Sequence, residues 1–376
     1  MRKLNLPLYS VIIASFAMVS CNTAYQYAPV AHVQPSAVAV DSYAAKESLV
    51  PFTAHNRGGA ISFCRAKLNA VAPAFAVDLQ YGNPAAEMSA IAQDLLDTGL
   101  AVAMEMESTG SRVVFTPEYS DCVLMLRAHR NPAYIGTLAP ATQKALSKAQ
   151  QIVAQVCGQY GADYERAVAL HDYIALNTRY ESRLGIAAQA DATTKLLNEG
   201  VAVCDGYAHT SGLLLSMAGI ENQFVVGKGD GVEHIWNLVK LNGSWTHVDV
   251  TYDDPKPDKP GRILHSYFGA SDARIATNHQ WKRADFPKAT VNSLFHPTRT
   301  GHHFESVQEM LYWAATQRVG YPWSVTVYVD ELQHLRSESA AHAKLQSAAT
   351  AMGVDKLRSV ALDKGSRGSV YCSFSY

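Results

Sequence analysis

The sequence has few charged residues and no excess of one sign. Charged side chains make up 17% of the 376 residues, and 32 Lys and Arg stand against 33 Asp and Glu, which leaves a formal net charge of −1. Because nucleic-acid backbones demand clustered Lys and Arg, this balance argues against a nucleic-acid partner. Apolar residues make up 48%, which permits a buried core and excludes wholesale disorder. The length allows about two or three small domains, or one domain with elaborations.

Cysteine is also scarce. Six cysteines are too few for a disulfide scaffold in a chain of this length, so each one needs its own explanation. The sequence has neither a CxxC pair nor an HExxH motif, and the pair His302-His303 lacks spaced partners. We therefore predict no metal and no cofactor.

Long apolar runs are missing, but a short one lies near the start. Arg2 and Lys3 precede an uncharged stretch at 8–20. It is too short to cross a bilayer, which takes roughly 20 residues, and is typical of a secretory signal. Its end, Met-Val-Ser before Cys21, resembles the bacterial lipoprotein signal, although Met18 stands where Leu is usual. The resemblance implies a signal peptide over the first 20 residues and a lipid on Cys21; an ordinary signal with an incidental cysteine is the alternative.

The residues after Cys21 bear on location. Asn22, rather than the Asp that favours inner-membrane retention in enteric bacteria, follows the cysteine. We expect an outer-membrane lipoprotein of the cell envelope that faces the periplasm, an oxidising compartment. Residues 21–52 carry little charge and are rich in Ala, Val and Pro, which predicts a lipid anchor followed by a flexible tether.

Two stretches, 53–135 and 300–376, are predicted to be small α/β modules. In the first, Arg112–Thr116 and Cys122–Arg127 are predicted as strands around a polar turn. The second has a similar order of elements, so a divergent duplication and two unrelated pieces are both open. Its predicted elements are the helices Phe304–Arg318 and Glu338–Met352 and the strands Ser324–Val329, Val360–Leu362 and Val370–Phe374.

The most informative helix is predicted to begin at Cys204. Its apolar and small residues fall on one face, and Gly219 suits a left-handed C-terminal cap. At a helix N-terminus, the macrodipole and free backbone N–H groups favour a thiolate. The same N–H groups can receive an oxyanion. A buried structural cysteine is the alternative.

A predicted β-hairpin follows this helix. The turn is Asn242-Gly243, and the flanking strands are Glu233–Leu241 and Ser244–Thr251. The two-residue turn places Asp249 opposite Trp236, so His234 and Asp249 are diagonal neighbours on one face, with Cβ atoms roughly 5–7 Å apart. A carboxylate at that distance can hold the imidazole through one nitrogen and leave the other for a thiol.

Taken together, these motifs resemble the bacterial transglutaminase-like superfamily. The resemblance covers about 140–290 and implies an α+β, papain-like catalytic core, in which a helix that carries Cys packs on an antiparallel sheet that carries His and Asp. The matching stretches are Gly200–Ala208, Ala218–Ile220, Val225–Gly227, His234–Asn237, Trp245 and Val248–Asp253, with Ala167–Tyr180 upstream and Tyr267-Phe268 and His279–Trp281 downstream.

The resemblance implies Cys204 as nucleophile, His234 as base and later acid, and Asp249 as the residue that orients His234. Such triads attack an amide carbonyl, and an amine or water resolves the thioester. We expect a cysteine protease or amidase, with transglutamination of protein glutamines as the alternative. Tyr207 and Trp236 are expected to pack beside the triad.

Other expectations complete this interpretation. A non-catalytic envelope-binding lipoprotein with the same fold is a second hypothesis, which expects Cys204 to be occluded or oxidised, or to lie far from His234. Asp205 is expected to help set the helix N-terminus. No family calcium site transfers onto this chain, and Asp253 and Asp254 are expected at a solvated strand end.

The expected partners are a protein or peptide substrate and the membrane, reached through the lipid on Cys21. The sequence does not indicate an oligomeric state. Four further cysteines allow three disulfide pairings if all are bridged, or separate burial as thiols. These are Cys64, Cys122, Cys157 and Cys372.

Overall fold

The computed structural model describes residues 9–14, 48–181, 190–254, 263–316, 323–335, 337–352, 357–362 and 369–374. Cys21 and the tether up to residue 47 lie outside the described residues. Helices and sheets are mixed throughout, which confirms an α+β fold. The described residues contain no helix that is both long enough and apolar enough to cross a membrane.

The first sheet has five strands in the order β1-β4-β5-β3-β2. Its elements are β1 (Tyr9–Ala14), β2 (Phe52–Ala54), α1 (Arg57–Asn69), β3 (Phe75–Leu79), α2 (Pro84–Leu96), β4 (Ala101–Thr109) and β5 (Arg112–Tyr119). Asn56 and Asn83 cap α1 and α2 by accepting backbone N–H bonds, a common way to begin a helix. Strand β1 lies inside the predicted signal peptide and pairs antiparallel with β4, so cleavage after residue 20 would leave β4 at the sheet edge.

One predicted strand is wrong. Cys122–Arg127 belongs to helix α3 (Asp121–Arg130). A short apolar run fits either a strand or a buried helix, and the surroundings decide between them. Here the carboxylate of Asp121 accepts hydrogen bonds from the backbone N–H groups of Thr193 and Thr194, and Met125 lies in the central core. The helix therefore joins the first sheet to the central part of the chain.

The central part combines helices with a second five-stranded sheet, ordered β11-β10-β9-β8-β12. Its helices are α4 (Pro140–Cys157), α5 (Asp163–Asn177), α6 (Ala192–Glu199), α7 (Cys204–Met217), α8 (Val250–Asp253), α9 (Asp272–Ile275) and α10 (His296–Arg299). The strands of this sheet are β8 (Asn222–Gly229), β9 (Val232–Leu241), β10 (Ser244–Val248), β11 (Phe268–Ala270) and β12 (His279–Trp281). A separate two-stranded sheet pairs β6 (Arg179–Tyr180) with β7 (Val201–Ala202).

Helix α7 lies at the centre of this core, because nearly all of its residues are buried. A helix buried on all sides needs small residues where neighbours approach closely. Gly212 is such a position, because a Cβ there would lie 2.5 Å from the ring of Phe224 on β8. Gly219 ends the helix region with φ +78°, as predicted for a left-handed cap.

The predicted hairpin register is confirmed over β9 and β10. Ser244 pairs with Leu241, and Val248 pairs with Asn237. The second strand ends earlier than predicted, because Asp249 caps α8 by accepting the backbone N–H of Tyr252. Asp253 is therefore buried in α8, and Asp254 is buried beyond it, so the expectation of a solvated strand end is wrong.

The last part of the chain forms a third sheet, ordered β13-β14-β16-β15. Its elements are β13 (His303–Phe304), α11 (Val307–Thr316), β14 (Trp323–Val329), α12 (Glu338–Ala351), β15 (Leu357–Leu362) and β16 (Ser369–Phe374). The described residues also include short 3-10 helices at Pro132–Thr137, Arg283–Asp285 and Asp330–Leu332. Apolar clusters accompany each of these three sheets, but Tyr328 of β14 lies in one cluster with Trp236 of β9. The predicted domain boundaries stay a prediction.

The cysteines that the structure describes are all free thiols and all buried. They are Cys64, Cys122, Cys157, Cys204 and Cys372. Of the two expectations for the four non-catalytic thiols, separate burial is the one observed.

Candidate active site

Cys204 is the first residue of α7 and has 8% of its surface exposed. The first N–H groups of a helix have no carbonyl partner within it. The carboxylate of Asp205 takes up two of them by accepting from Gly206 N at 2.8 Å and from its own N–H. We assign the N–H of Cys204 itself, at the positive end of the helix dipole, to a developing oxyanion.

His234 stands between Cys204 and Asp249. Its Nε2 lies 2.7 Å from Oδ2 of Asp249, and its side chain also hydrogen-bonds Cys204. Because Asp249 occupies Nε2, the nitrogen left for the thiol is Nδ1. The structure thus brings together the three residues that the sequence singled out.

The electrostatics of the site favour a charged pair of His234 and Asp249. Burial by itself would lower the pKa of His234, but the charge of Asp249, its hydrogen bond and the contact with Cys204 raise that pKa to about 10. Burial opposes ionisation of Asp249, yet His234 and His279 hold its pKa below the usual range. A protonated imidazole beside a thiol at a helix N-terminus stabilises the thiolate.

His279 is a site residue that the sequence reasoning did not assign. Its Nε2 lies 2.9 Å from the same Oδ2 of Asp249, and its Nδ1 lies 2.8 Å from Oδ1 of Asn278. Burial, together with the positive charge of His234, lowers the pKa of His279, although both of its ring nitrogens face oxygen atoms that accept hydrogen bonds. The sequence signal for His279 was the family-like segment His279-Gln-Trp. The segment alone does not place His279 beside Asp249, because that proximity depends on the pairing of β12 with β8.

Trp236 and Tyr207 pack beside the triad. The Trp236 ring lies parallel to the His234 ring, with centroids 5.9 Å apart, and donates from Nε1 to Nδ1 of His247 at 3.0 Å. The hydroxyl of Tyr207 donates to Asp254, which places a second buried carboxylate behind α7. These contacts fix side-chain positions and involve no exchangeable group of the triad.

Asp205 is buried directly after the nucleophile. Burial raises the pKa of its carboxyl to about 6, although His209 and the backbone bonds lower it. Its Oδ2 has no hydrogen-bond partner among the described residues. A buried carboxylate with one unpaired oxygen is costly, so Asp205 sets the helix start at some expense of stability.

A cavity of about 1040 Å³ lies where the first sheet meets the central sheet. Basic and aromatic side chains line it, among them Arg127, Arg130, Lys228 and Trp281. The triad is outside this lining, but Trp281 is two residues from His279 on β12.

Two groups of described residues could hold a metal ion: His234 with Asp249 and His279, and His171 with Asp172 and His265. In the first group, each histidine Nε2 already contacts Asp249, and His234 also contacts Cys204. This bonding fits a proton-transfer triad without an ion. The second group lies outside the triad.

Comparison with known proteins identifies the central part. Residues 150–250 match the sequence model of the transglutaminase-like superfamily. A Caenorhabditis briggsae protein, peptide-N(4)-(N-acetyl-beta-glucosaminyl)asparagine amidase, is 43% identical over 58 residues, which are 15% of this chain and 9% of that protein. The chain thus spans about a tenth of that relative.

Among solved structures, a TGase is 14% identical, with a TM-score of 0.26 over 47% of this chain and 50% of the other. The periplasmic domain of TgpA from Pseudomonas aeruginosa is 18% identical, with a TM-score of 0.25 over 40% and 55%. The matched range contains Cys204, His234 and Asp249, the three residues that the structure brings together. Residues 150–250 of this chain belong to the transglutaminase-like superfamily.

Proposed function

We propose that the protein hydrolyses amide bonds of a protein or peptide substrate through a thioester on Cys204. The observation that carries the proposal is the buried relay from Cys204 through His234 to Asp249, with Nε2 of His234 held at 2.7 Å from the carboxylate. This arrangement supplies a nucleophile, a proton carrier and an orienting group in contact with one another.

In the first half of the reaction, the thiolate of Cys204 forms a bond to the carbonyl carbon, and the C=O electrons move to oxygen. The N–H of Cys204 and the helix dipole stabilise this oxyanion. When the C–N bond breaks, the leaving nitrogen takes the proton from Nδ1 of His234, and a thioester remains.

In the second half, water attacks the thioester while neutral His234 accepts its proton at Nδ1. Collapse of the intermediate expels the thiolate and releases the carboxylic acid, so one water is consumed for each amide. Asp249 holds the ring through Nε2 in both halves. Its charge stabilises the imidazolium each time that it forms.

A transglutaminase is the second candidate, in which an amine of another substrate replaces water. Hydrolysis is favoured because a cross-linker must also bind that amine. The non-catalytic hypothesis expects Cys204 to be occluded or oxidised, or distant from His234, and the burial of Cys204 agrees with the first of these. The free thiol and its hydrogen bond to His234 support an enzyme instead.

We also propose export and anchoring in the envelope. A signal at 1–20, a lipid on Cys21 and a tether to residue 52 would place the enzyme at the outer membrane, facing the periplasm. Radiolabelled fatty acid should be incorporated by the full chain and not by a Cys21→Ala variant.

The test of catalysis is labelling with a thiol-reactive peptide probe at pH 7, with the modified residue located by mass spectrometry. We expect Cys204 to be labelled, and Cys204→Ala to abolish labelling without altering the circular dichroism. Cys157→Ala is the matched control, because Cys157 is similarly buried and burial raises its pKa. Equal labelling of wild type and Cys204→Ala would contradict the proposal.

A second assay separates the two reactions. The enzyme is incubated with a glutamine-containing peptide and a labelled primary amine. Release of acid or cleaved peptide without amine incorporation supports hydrolysis. Efficient incorporation of the amine would make transamidation the main activity.

A further inference from the structure

A second histidine–carboxylate cluster lies outside the triad. Nδ1 of His171 is 2.9 Å from Oδ1 of Asp172, and Nε2 of His265 is 2.7 Å from the same oxygen. Two adjacent residues in the middle of α5 thus meet a residue of the segment before β11, and two ring nitrogens contact one carboxylate oxygen. One ligand atom from each side chain lies within 4.8 Å of those of the other two.

The chemistry of these three groups suits a transition-metal cation of the zinc type. Two imidazoles and one carboxylate are ordinary zinc ligands, whereas calcium and magnesium prefer oxygen throughout. Ligand atoms about 2.0–2.1 Å from a tetrahedral ion lie roughly 3.3 Å apart. The observed contacts to the shared oxygen are a few tenths of an ångström shorter, so small side-chain rotations would admit the ion.

The surroundings hold both rings in place. Nε2 of His171 lies 3.2 Å from the buried carboxylate of Asp253, which also accepts the backbone N–H of Tyr267. A metal-ligating histidine usually donates its other ring N–H to such a carboxylate. The His265 ring stacks on His296 with centroids 4.0 Å apart. These contacts restrict both rings to small rotations about their present orientation.

The cluster is open to solvent on one side. The side chain of His171 is buried, but those of Asp172 and His265 are 31% and 22% exposed. An ion can enter from this side, and water can complete its coordination. These features distinguish the cluster from the buried group at Asp249, where all three side chains are enclosed.

We propose that His171, Asp172 and His265 form a binding site for one divalent zinc-type cation, with Asp253 as the carboxylate behind His171. The ion would tie α5 to the segment that leads into β11. Asp253 belongs to α8, which begins directly after Asp249. The bound ion would therefore also stabilise the position of α8 and of Asp249 at its start. The site does not depend on the proposed amidase activity.

The test uses the full chain without a polyhistidine tag, stripped with a chelator and dialysed against Zn²⁺. Elemental analysis is expected to find about one Zn²⁺ per wild-type chain and little in His265→Ala or Asp172→Asn. The matched control is His303→Ala, because His303 is also partly exposed and contacts a carboxylate, Asp330, at 3.0 Å. A His234→Ala variant tests whether the buried group of His234, Asp249 and His279 holds the ion instead. Both His303→Ala and His234→Ala should still bind Zn²⁺.

Thermal unfolding gives a second readout. Added Zn²⁺ should raise the Tm of the wild type and of both controls, because a ligand that binds only the folded state stabilises it. It should leave the Tm of His265→Ala unchanged, provided that circular dichroism shows this variant folded; if it is not, Asp172→Asn serves alone. Less than about one fifth of an equivalent in wild type, or binding lost in His234→Ala and kept in both site variants, would overturn the proposal. These readouts require no enzyme activity.

Discussion

His279 donates a hydrogen bond from Nε2 to Oδ2 of Asp249 across 2.9 Å. That oxygen also accepts from Nε2 of His234 at 2.7 Å, so two imidazoles share one carboxylate oxygen, while Oδ1 accepts the N–H of Tyr252. Hydrogen bonds to both of its oxygen atoms therefore restrict rotation of the Asp249 carboxylate. We infer that His279 is a positioning residue for the triad.

Replacing His279 tests this role. We expect His279→Ala to lower kcat by roughly 10- to 100-fold with KM little changed, because a hydrogen bond to a charged group contributes about 1.5–3 kcal/mol. His279→Gln keeps an N–H donor and should recover part of the loss. Steady-state kinetics with a peptide amide substrate provide the measurement. Equal kcat losses in the two variants would point to a packing role only.

Removing the charge of Asp249 should change both the rate and its pH dependence. The pKa of His234 stands at about 10, with Asp249 as the main group that raises it against burial. Acylation needs protonated His234, so activity falls as pH rises through this pKa. In Asp249→Asn, the fall of activity at alkaline pH should begin at a lower pH than in wild type, because the pKa of His234 is lower. The value of kcat should fall by roughly 10³–10⁴-fold.

The matched control for this variant is Asp272→Asn. Asp272 lies 2.9 Å from Nε2 of His247 in a comparable His–Asp pair outside the triad. The activity of Asp272→Asn should fall at the same alkaline pH as that of the wild type. If the activity of Asp249→Asn also falls at the wild-type alkaline pH, Asp249 does not set the pKa of His234.

Asp205 should make stability depend on pH. Burial raises the pKa of its carboxyl from 3.8 to about 6. An acid with a raised pKa binds its proton more tightly in the folded state, so its contribution to stability is full below pH 4 and is lost as pH rises to about 6. Asp205→Asn stays neutral and should therefore be more stable than wild type at pH 8, by up to about 3 kcal/mol.

Urea unfolding at pH 4 and pH 8 measures this effect. Near pH 4 the two proteins should differ little, since both carry a neutral side chain at position 205. A gain of the same size at both pH values would assign the effect to something other than ionisation.

A methyl group on Gly227 should disturb β12. An added Cβ would lie 2.1 Å from the backbone oxygen of Gln280, and backbone cannot rotate away as a side chain can. We expect Gly227→Ala to lower the free energy of unfolding by about 1–3 kcal/mol and to lower kcat through displacement of His279. Gly161→Ala is the control, because its added Cβ meets open space; comparable losses in both variants would contradict this account.

Local sequence was sufficient for the parts of the site built from neighbouring residues. The Asn242-Gly243 turn sets the pairing of β9 with β10, and that pairing predicts the proximity of His234 and Asp249. Cys204 was placed at a helix start by the apolar face that follows it and by Gly219. Turns and helix faces depend on contacts a few residues apart, so they can be recognised without the fold.

The errors and omissions all involve distant segments. Cys122 lies in a helix because Asp121 bonds to Thr193 and Thr194, some 70 residues later. Asp253 is buried because α8 packs beside His171, 82 residues earlier. His279 reaches Asp249 only through the pairing of β12 with β8. The sequence by itself determined the helix that begins at Cys204 and the hairpin register that brings His234 close to Asp249. Only the tertiary structure decided which distant carboxylates and imidazoles meet, because local pattern does not specify which buried polar groups become partners.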